Sequence, residues 1–288
     1  MPFQRIAILG CGLIGGSFAL GVKKRGLSSE IVGWDKELAL DKARAHGAID
    51  RGTTELVEAV AETDLVYLAT PVVTILDLLP QVAKAAKPGT LVTDAGSTKV
   101  RICRLAREVI PEGVTFLGGH PMTGKESGGI DNADADLFVG AKYVFIEGRN
   151  RRDAESAEKE FLEWVSKLGA EPIFMDAETH DWAVALVSHL PQLVSTALAS
   201  AIWDETDEDG LPLSLAGAGF RDLTRLAASP YEIWRDICLT NSDNIARALE
   251  RLEQRLERVR TLLRSKDLAE EFEKAQQTYA MLKRGGKE

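Results

Sequence analysis

The densest group of chemistry-bearing side chains lies in Gly118-Gly119-His120-Pro121-Met122-Thr123-Gly124-Lys125-Glu126, where an imidazole, an ammonium and a carboxylate fall within nine residues. An imidazole has an ordinary pKa of ~6.5, so His120 is suited to exchanging a proton near neutral pH. A histidine set between glycines and a proline can equally be a buried residue that helps the chain turn. A second stretch, Ala95-Gly96-Ser97-Thr98-Lys99, offers a hydroxyl and a cation. Ser97 reads locally as the N-cap of a helix over Thr98 to Ile110. Lys99 in the first turn opposes the helix dipole, a placement that suits an anionic ligand.

A third group is Gly10-Cys11-Gly12-Leu13-Ile14-Gly15, which follows the apolar run FQRIAIL and opens the helical run Gly16 to Arg25. Gly10 allows a tight turn, Gly12 lets backbone approach a pyrophosphate, and Gly15 lets helix and strand pack closely. The helix N-terminus, with Leu13 and Ile14, then offers free N–H groups to the anion. Asp35, twenty residues beyond Gly15, can accept hydrogen bonds from both ribose hydroxyls of an adenosine. Its charge would repel a 2′-phosphate, so NAD is expected over NADP, with Lys36 softening that preference. A glycine turn that binds nothing is the alternative, set against strand, glycines, helix and acid all in place.

Positioning these groups requires strands and helices in alternation. Strand-like runs occur at Phe3–Leu9, Glu30–Trp34, Asp64–Ala69, Thr90–Asp94, Val114–Leu117, Tyr143–Ile146 and Pro172–Met175. Helical patterns separate most of them, so the first part reads as α/β, a Rossmann-type, doubly wound and largely parallel sheet. Ligands bind such sheets at the carboxyl edge, where the three loops after Ala69, Asp94 and Leu117 should meet. The first of these, Thr70-Pro71, is expected over the nicotinamide half of the cofactor. After Met175 the strand signals stop, and Asp181–Trp203 and Ile233–Arg264 are helix-periodic. Two domains are therefore expected: residues 1–175, binding NAD, and residues 176–288, all-helical, binding substrate. In the last long helix Ile245, Leu249, Leu252, Leu256, Val259 and Leu263 form one apolar stripe, for packing within its own domain or against a second subunit. The tail from Lys283 reads as frayed.

Composition excludes several classes. With 44 acidic against 35 basic residues the formal charge is -9, and no basic patch offsets it, so neither nucleic acid nor an anionic membrane is an expected partner. Three cysteines without CxxC spacing indicate neither a disulfide framework nor a zinc site, and four scattered histidines suggest no metal. A reducing cytoplasm is the expected location. No signal-peptide pattern precedes the first strand, and no apolar run reaches the ~18 residues of a membrane span.

Six blocks in order resemble the prephenate and arogenate dehydrogenases of tyrosine biosynthesis: GCGLIGGS (10–17), DAGSTK (94–99), GHPMTGKE (119–126), His180-Asp181, SHLP (188–191) and GFRDLTR (219–225). The likeness spans nearly the whole chain. It implies an oxidative decarboxylation in which a cyclohexadienol loses hydride to the nicotinamide, loses carbon dioxide and becomes a phenol. Neutral His120 would then take the hydroxyl proton, Ser97 would hydrogen-bond the imidazole or the hydroxyl, and Arg225 would clamp the ring carboxylate through its guanidinium fork. Glu126 resembles a glutamate at the mouth of the site. His180 reads as a capping or hinge residue, and His189 as either a core histidine or a substrate contact.

Two positions depart from the family pattern: Gln192 stands where many members have a histidine, and Lys125 where many have a small hydroxyl residue. Both bear on side-chain recognition, hence on prephenate against arogenate. The segment Leu213–Gly219 offers no acid for an ammonium, which favours prephenate. No fused mutase or amino-acid-binding regulatory domain is expected, and the resemblance implies a homodimer through the helical domain. Two rivals stand beside this reading. A β-hydroxyacid dehydrogenase would need a lysine in its helical core, but none occurs between Asp176 and Arg264. A silent NAD-sensing regulator would keep the glycines and Asp35 without needing His120 and Arg225 together.

Overall fold

The computed structural model describes residues 3–28, 30–125, 127–147, 156–206 and 210–285. By compactness the chain forms two units, Met1–Ser242 and Asp243–Glu288. In the first, β1 (Arg5–Leu9), β2 (Glu30–Trp34), β3 (Arg51–Thr53), β4 (Leu65–Leu68), β5 (Leu91–Asp94) and β6 (Thr115–Leu117) form one parallel sheet in the order β3-β2-β1-β4-β5-β6. The crossovers are α1 (Leu13–Lys24), α2 (Glu37–Ala45), α3 (Leu56–Val60), α4 (Val72–Ala85) and α5 (Val100–Val109). Strand order reverses between β1 and β4, the switch point where such sheets open a crevice.

Both faces of this sheet are covered, which is why its strands read as unbroken apolar runs. Alternate residues point to opposite sides. Ile6, Ile8, Leu65 and Tyr67 join Phe18, Phe138, Phe161 and Trp164 on one face. Ala7, Leu9, Val66 and Leu68 join Ile75, Leu79 and Val92 on the other.

Two differences from the sequence reading matter for the site. β3 was not expected, because Arg51-Gly52-Thr53 has no apolar alternation and is a strand only through pairing with β2. The runs near 143 and 172 do not extend the main sheet. Instead β7 (Gly119–Pro121), β8 (Lys142–Ile146) and β9 (Glu171–Met175) make a second sheet, with β7 antiparallel to β8 and β9 parallel to it. Gly119-His120-Pro121, expected as a loop, is therefore an edge strand, where a proline lacking an N–H is tolerated. Gly118 is the hinge between the sheets. A Cβ on Gly119 would come within 2.8 Å of the Asp94 carbonyl oxygen, so only glycine lets β7 pass the end of β5 this closely.

α6 (Ser156–Lys167) links β8 to β9, and after β9 the chain is helical: α7 (Ala177–Val184), α8 (Leu190–Asp204), α9 (Leu211–Ser214), α10 (Ala218–Thr224) and α11 (Tyr231–Thr240). One π turn, Ala185–His189, joins α7 to α8 and ends two residues before Pro191. A proline there cannot donate to the preceding turn and crowds its carbonyl, and a widened turn relieves both faults. Contrary to the sequence expectation, Ala177–Asp204 is long and apolar enough to span a bilayer by length and composition. Its polar residues His180, Asp181, His189, Gln192 and Ser195 are nevertheless buried and hydrogen-bonded within the fold, which marks a protein-facing helix.

The expected helix Ile233–Arg264 is split at Asn241, whose side-chain amide donates to the Asp181 carbonyl at 2.7 Å. α12 (Ser242–Leu262) and α13 (Leu268–Gly285) follow. In the second unit Arg255 and Arg258 both grip Glu271, at 3.1 and 2.8 Å. α13 continues through Gly285 rather than fraying from Lys283; residues 286–288 lie outside the described residues.

Candidate active site

His120 Nδ1 lies 2.8 Å from His180 Nε2. His180 Nδ1 in turn lies 2.8 Å from Asp181 Oδ1. The Asp181 carboxylate also accepts the backbone N–H groups of Lys99 at 2.7 Å and Val100 at 2.9 Å, at the start of α5. Those groups have no partner within their own helix, so Asp181 caps α5 from α7. This corrects two local readings. Ser97 is not the cap, since α5 begins at Val100 and takes no side-chain cap of its own. His180 does not start α7, because Asp176 caps that helix through the Thr179 N–H.

A buried ion pair fixes the strand that carries His120. Lys99 Nζ contacts Asp94 Oδ2 and donates to the Gly119 carbonyl at 2.6 Å, while Asp94 Oδ1 accepts the Gly119 N–H at 3.2 Å. Both backbone groups of the residue before His120 are thus held by one charge pair with no exposure to solvent. Lys99 is a structural strut, not the anion ligand its sequence position suggested. Burial, with the neighbouring His180, Lys99 and His189, holds the His120 imidazole well below its usual pKa. Its resting form is the neutral base.

The remaining residues named from sequence separate into groups. Ser97 is half-buried and, among the described residues, is not bonded to His120. His189 is buried, receives the Asn241 amide at Nδ1 at 3.2 Å and meets Trp234 edge-on, and burial pulls its pKa down to about 4. Gln192 donates to the Leu226 carbonyl at 2.8 Å, and Ser195 accepts the Ala227 N–H at 3.0 Å. These two bonds anchor the turn that starts at Arg225, an exposed residue at the end of α10. The Gln192 carbonyl oxygen is buried and unpartnered among the described residues. Lys125 is exposed and donates to the Asn132 carbonyl at 2.8 Å. Glu126 lies outside the described residues.

At the other end of the crevice, Gly10 adopts φ +98°, and a Cβ there would strike Ala69 at 2.8 Å. Around Gly12 there is open space within 4 Å. The N-terminus of α1 has no side-chain cap, so its N–H groups remain for an anion. Leu13 and Ile14 form its first turn, beside Gly15 packed on the Gly10 carbonyl. Asp35 accepts the Cys11 N–H at 2.8 Å and so sits directly against the glycine turn. Thr70, just before Pro71 caps α4, has a buried hydroxyl without a partner among the described residues. The cradle fits a dinucleotide: space at Gly12, N–H groups without a side-chain cap beyond it, and the Asp35 carboxylate against the turn. Among the described residues no three His, Cys, Asp or Glu side chains are grouped to hold a metal ion.

Sequence reasoning gave Asp94 and Asp181 no role of their own and passed over Asp236 and Asn241. Asp236 on α11 accepts the Val73 N–H at 3.1 Å and so caps α4, as Asp181 caps α5. A carboxylate capping a helix distant in sequence leaves no local signature.

Residues 18–172 match the nucleotide-binding domain of prephenate dehydrogenase, and residues 176–277 match its dimerization domain. The chain belongs to the prephenate dehydrogenase family. It is 38% identical over 266 residues to the prephenate dehydrogenase of Lactococcus lactis subsp. cremoris, covering 92% of this chain and 72% of that protein. A cyclohexadienyl dehydrogenase of Zymomonas mobilis is 32% identical over 98% of this chain and 97% of its own length. Among solved structures, prephenate dehydrogenase from Aquifex aeolicus in complex with hydroxyphenyl propionate and NAD+ superposes with a TM-score of 0.90 at 28% identity, covering 98% of this chain and 99% of that one. As a member of the prephenate dehydrogenase family the protein is an oxidoreductase, and the silent-regulator and β-hydroxyacid readings fall away.

Proposed function

We propose that the protein catalyses the NAD-dependent oxidative decarboxylation of prephenate to 4-hydroxyphenylpyruvate and carbon dioxide. The observation that carries this reading is the neutral His120, fixed on β7 against the carboxyl end of β5, on the sheet edge that also bears the glycine cradle. Gly10, Gly12 and Gly15 with the α1 N-terminus would hold the pyrophosphate, Asp35 the adenosine ribose, and Thr70-Pro71 the nicotinamide end. Bound NAD supplies the hydride acceptor. His120 accepts the hydrogen bond of the ring hydroxyl and takes its proton as the carbon–hydrogen bond breaks. Ser97 orients the same hydroxyl and Arg225 binds the ring carboxylate. Because the product gains aromaticity, alignment and proton removal are the work left to the protein.

The working boundary lies near residue 175, supported by the two family matches, which part between 172 and 176. The helical part forms a homodimer: Trp182, Val187, Trp203, Leu215 and Leu223 are more than half exposed in the single chain. The enzyme works in the cytoplasm. Neither nucleic acid nor membrane is a partner on grounds of charge.

One observation favours arogenate as a second substrate. The orphaned Gln192 carbonyl oxygen is an acceptor seeking a donor, and an ammonium supplies one where a keto group does not. The test follows NADH absorbance with prephenate and with arogenate, comparing kcat/KM. Prephenate should be the better substrate; turnover with neither would overturn the proposal.

A further inference from the structure

The dyad His180-Asp181 meets His120 at Nδ1, and with no net charge on the two imidazoles its hydrogen bonds have one consistent arrangement of protons. Asp181 accepts two backbone N–H groups at the start of α5, so its carboxylate is an acceptor on every side. The proton between it and His180 therefore resides on His180 Nδ1. In that arrangement His180 presents the lone pair of Nε2 to His120, and the 2.8 Å contact places the hydrogen on His120 Nδ1. That leaves the lone pair of His120 on Nε2, the nitrogen of this ring that His180 does not engage.

We propose that His180, oriented by Asp181, is a positioning residue that locks His120 in the Nδ1–H tautomer and receives positive charge from it during turnover. The balance is simple: the substrate hydroxyl proton bonds to His120 Nε2, and the Nδ1 proton shifts toward His180 Nε2. The charge comes to rest beside the Asp181 carboxylate. Lys99 repels an imidazolium at His120 and is itself neutralised by Asp94, whereas Asp181 draws the charge outward along the chain. Of the other titratable groups near this cluster, His189 is neutral and bonded to Asn241, and burial pushes the Cys103 thiol up to about 12. The tautomer lock depends on no particular substrate; the charge uptake rests on the dehydrogenase reading above.

Two measurements test it. In the whole protein without substrate, 15N NMR of labelled histidines should show His120 with a protonated Nδ1 and a bare Nε2. A bare Nδ1 on His120 would overturn the lock whatever the enzyme acts on. His180→Leu removes the acceptor and should lower kcat roughly a hundredfold or more, while NAD affinity changes less than threefold. His180→Gln keeps an acceptor that cannot take a charge, so it should recover the tautomer signature and part of kcat. It should also shift the acid limb of the kcat profile. If His180→Leu folds and keeps wild-type kcat, or if His180→Gln restores kcat and pH profile completely, the charge-accepting role is wrong.

Discussion

His120 does not act as an isolated imidazole. Its folded pKa is depressed, so it stays neutral as pH falls below 6.5, and the acid limb of kcat/KM should lie well under that value. His120→Asn should lower kcat by about two to four orders of magnitude with NAD affinity nearly unchanged, measured by steady-state rates and fluorescence titration. Arg225→Ala should instead raise KM, since a uniform contact to the ring carboxylate is lost. His189 gives a stability prediction of defined sign. Its pKa falls from 6.5 to about 4 on folding, so the unfolded chain binds the extra proton. Stability is unaffected above about pH 6.5 and drops as pH falls toward 4, by about 3 kcal/mol for this residue. His189→Asn keeps an acceptor for Asn241 but cannot titrate, so urea unfolding at pH 7 and 4.5 should show a shallower loss.

At the scale of elements, the site is a set of helix ends and strand ends tied by carboxylates. Asp94 and Lys99 hold Gly119, Asp181 holds α5, and Asp236 holds α4. Removing one member of the buried pair leaves an uncompensated charge. Lys99→Met should therefore cost about 3–5 kcal/mol by urea unfolding. The sequence disclosed the glycine cradle, five of the six strands of the parallel sheet and the helical second half, because each has a local pattern of glycines or apolar spacing. It did not disclose β3 or β7, which have no strand pattern and exist through their neighbours' hydrogen bonds. Its local readings of Lys99 as an anion ligand, Ser97 as a helix cap and His180 as a helix start did not hold, since whether a polar side chain is a cap, a strut or a ligand depends on what arrives from elsewhere in the chain. The resemblance located His120, but nothing local joined it to His180, sixty residues away.

At the scale of the whole molecule, the exposed apolar residues of α7, α8 and α10 point to a second copy of the chain. Sedimentation equilibrium at micromolar concentration should give a species near twice 31.4 kDa, and Trp203→Glu should shift it toward the monomer. The carboxylate caps set a rule for recombining this protein with its relatives. A crossover at residue 175 would take Asp181 and Asp236 from one parent and the α5 and α4 ends they hold from the other. A crossover after Ser242 would inherit those bonds intact from a single parent. A chimera library would therefore yield active hybrids at the second seam more often than at the first, although the first is where one kind of secondary structure gives way to another.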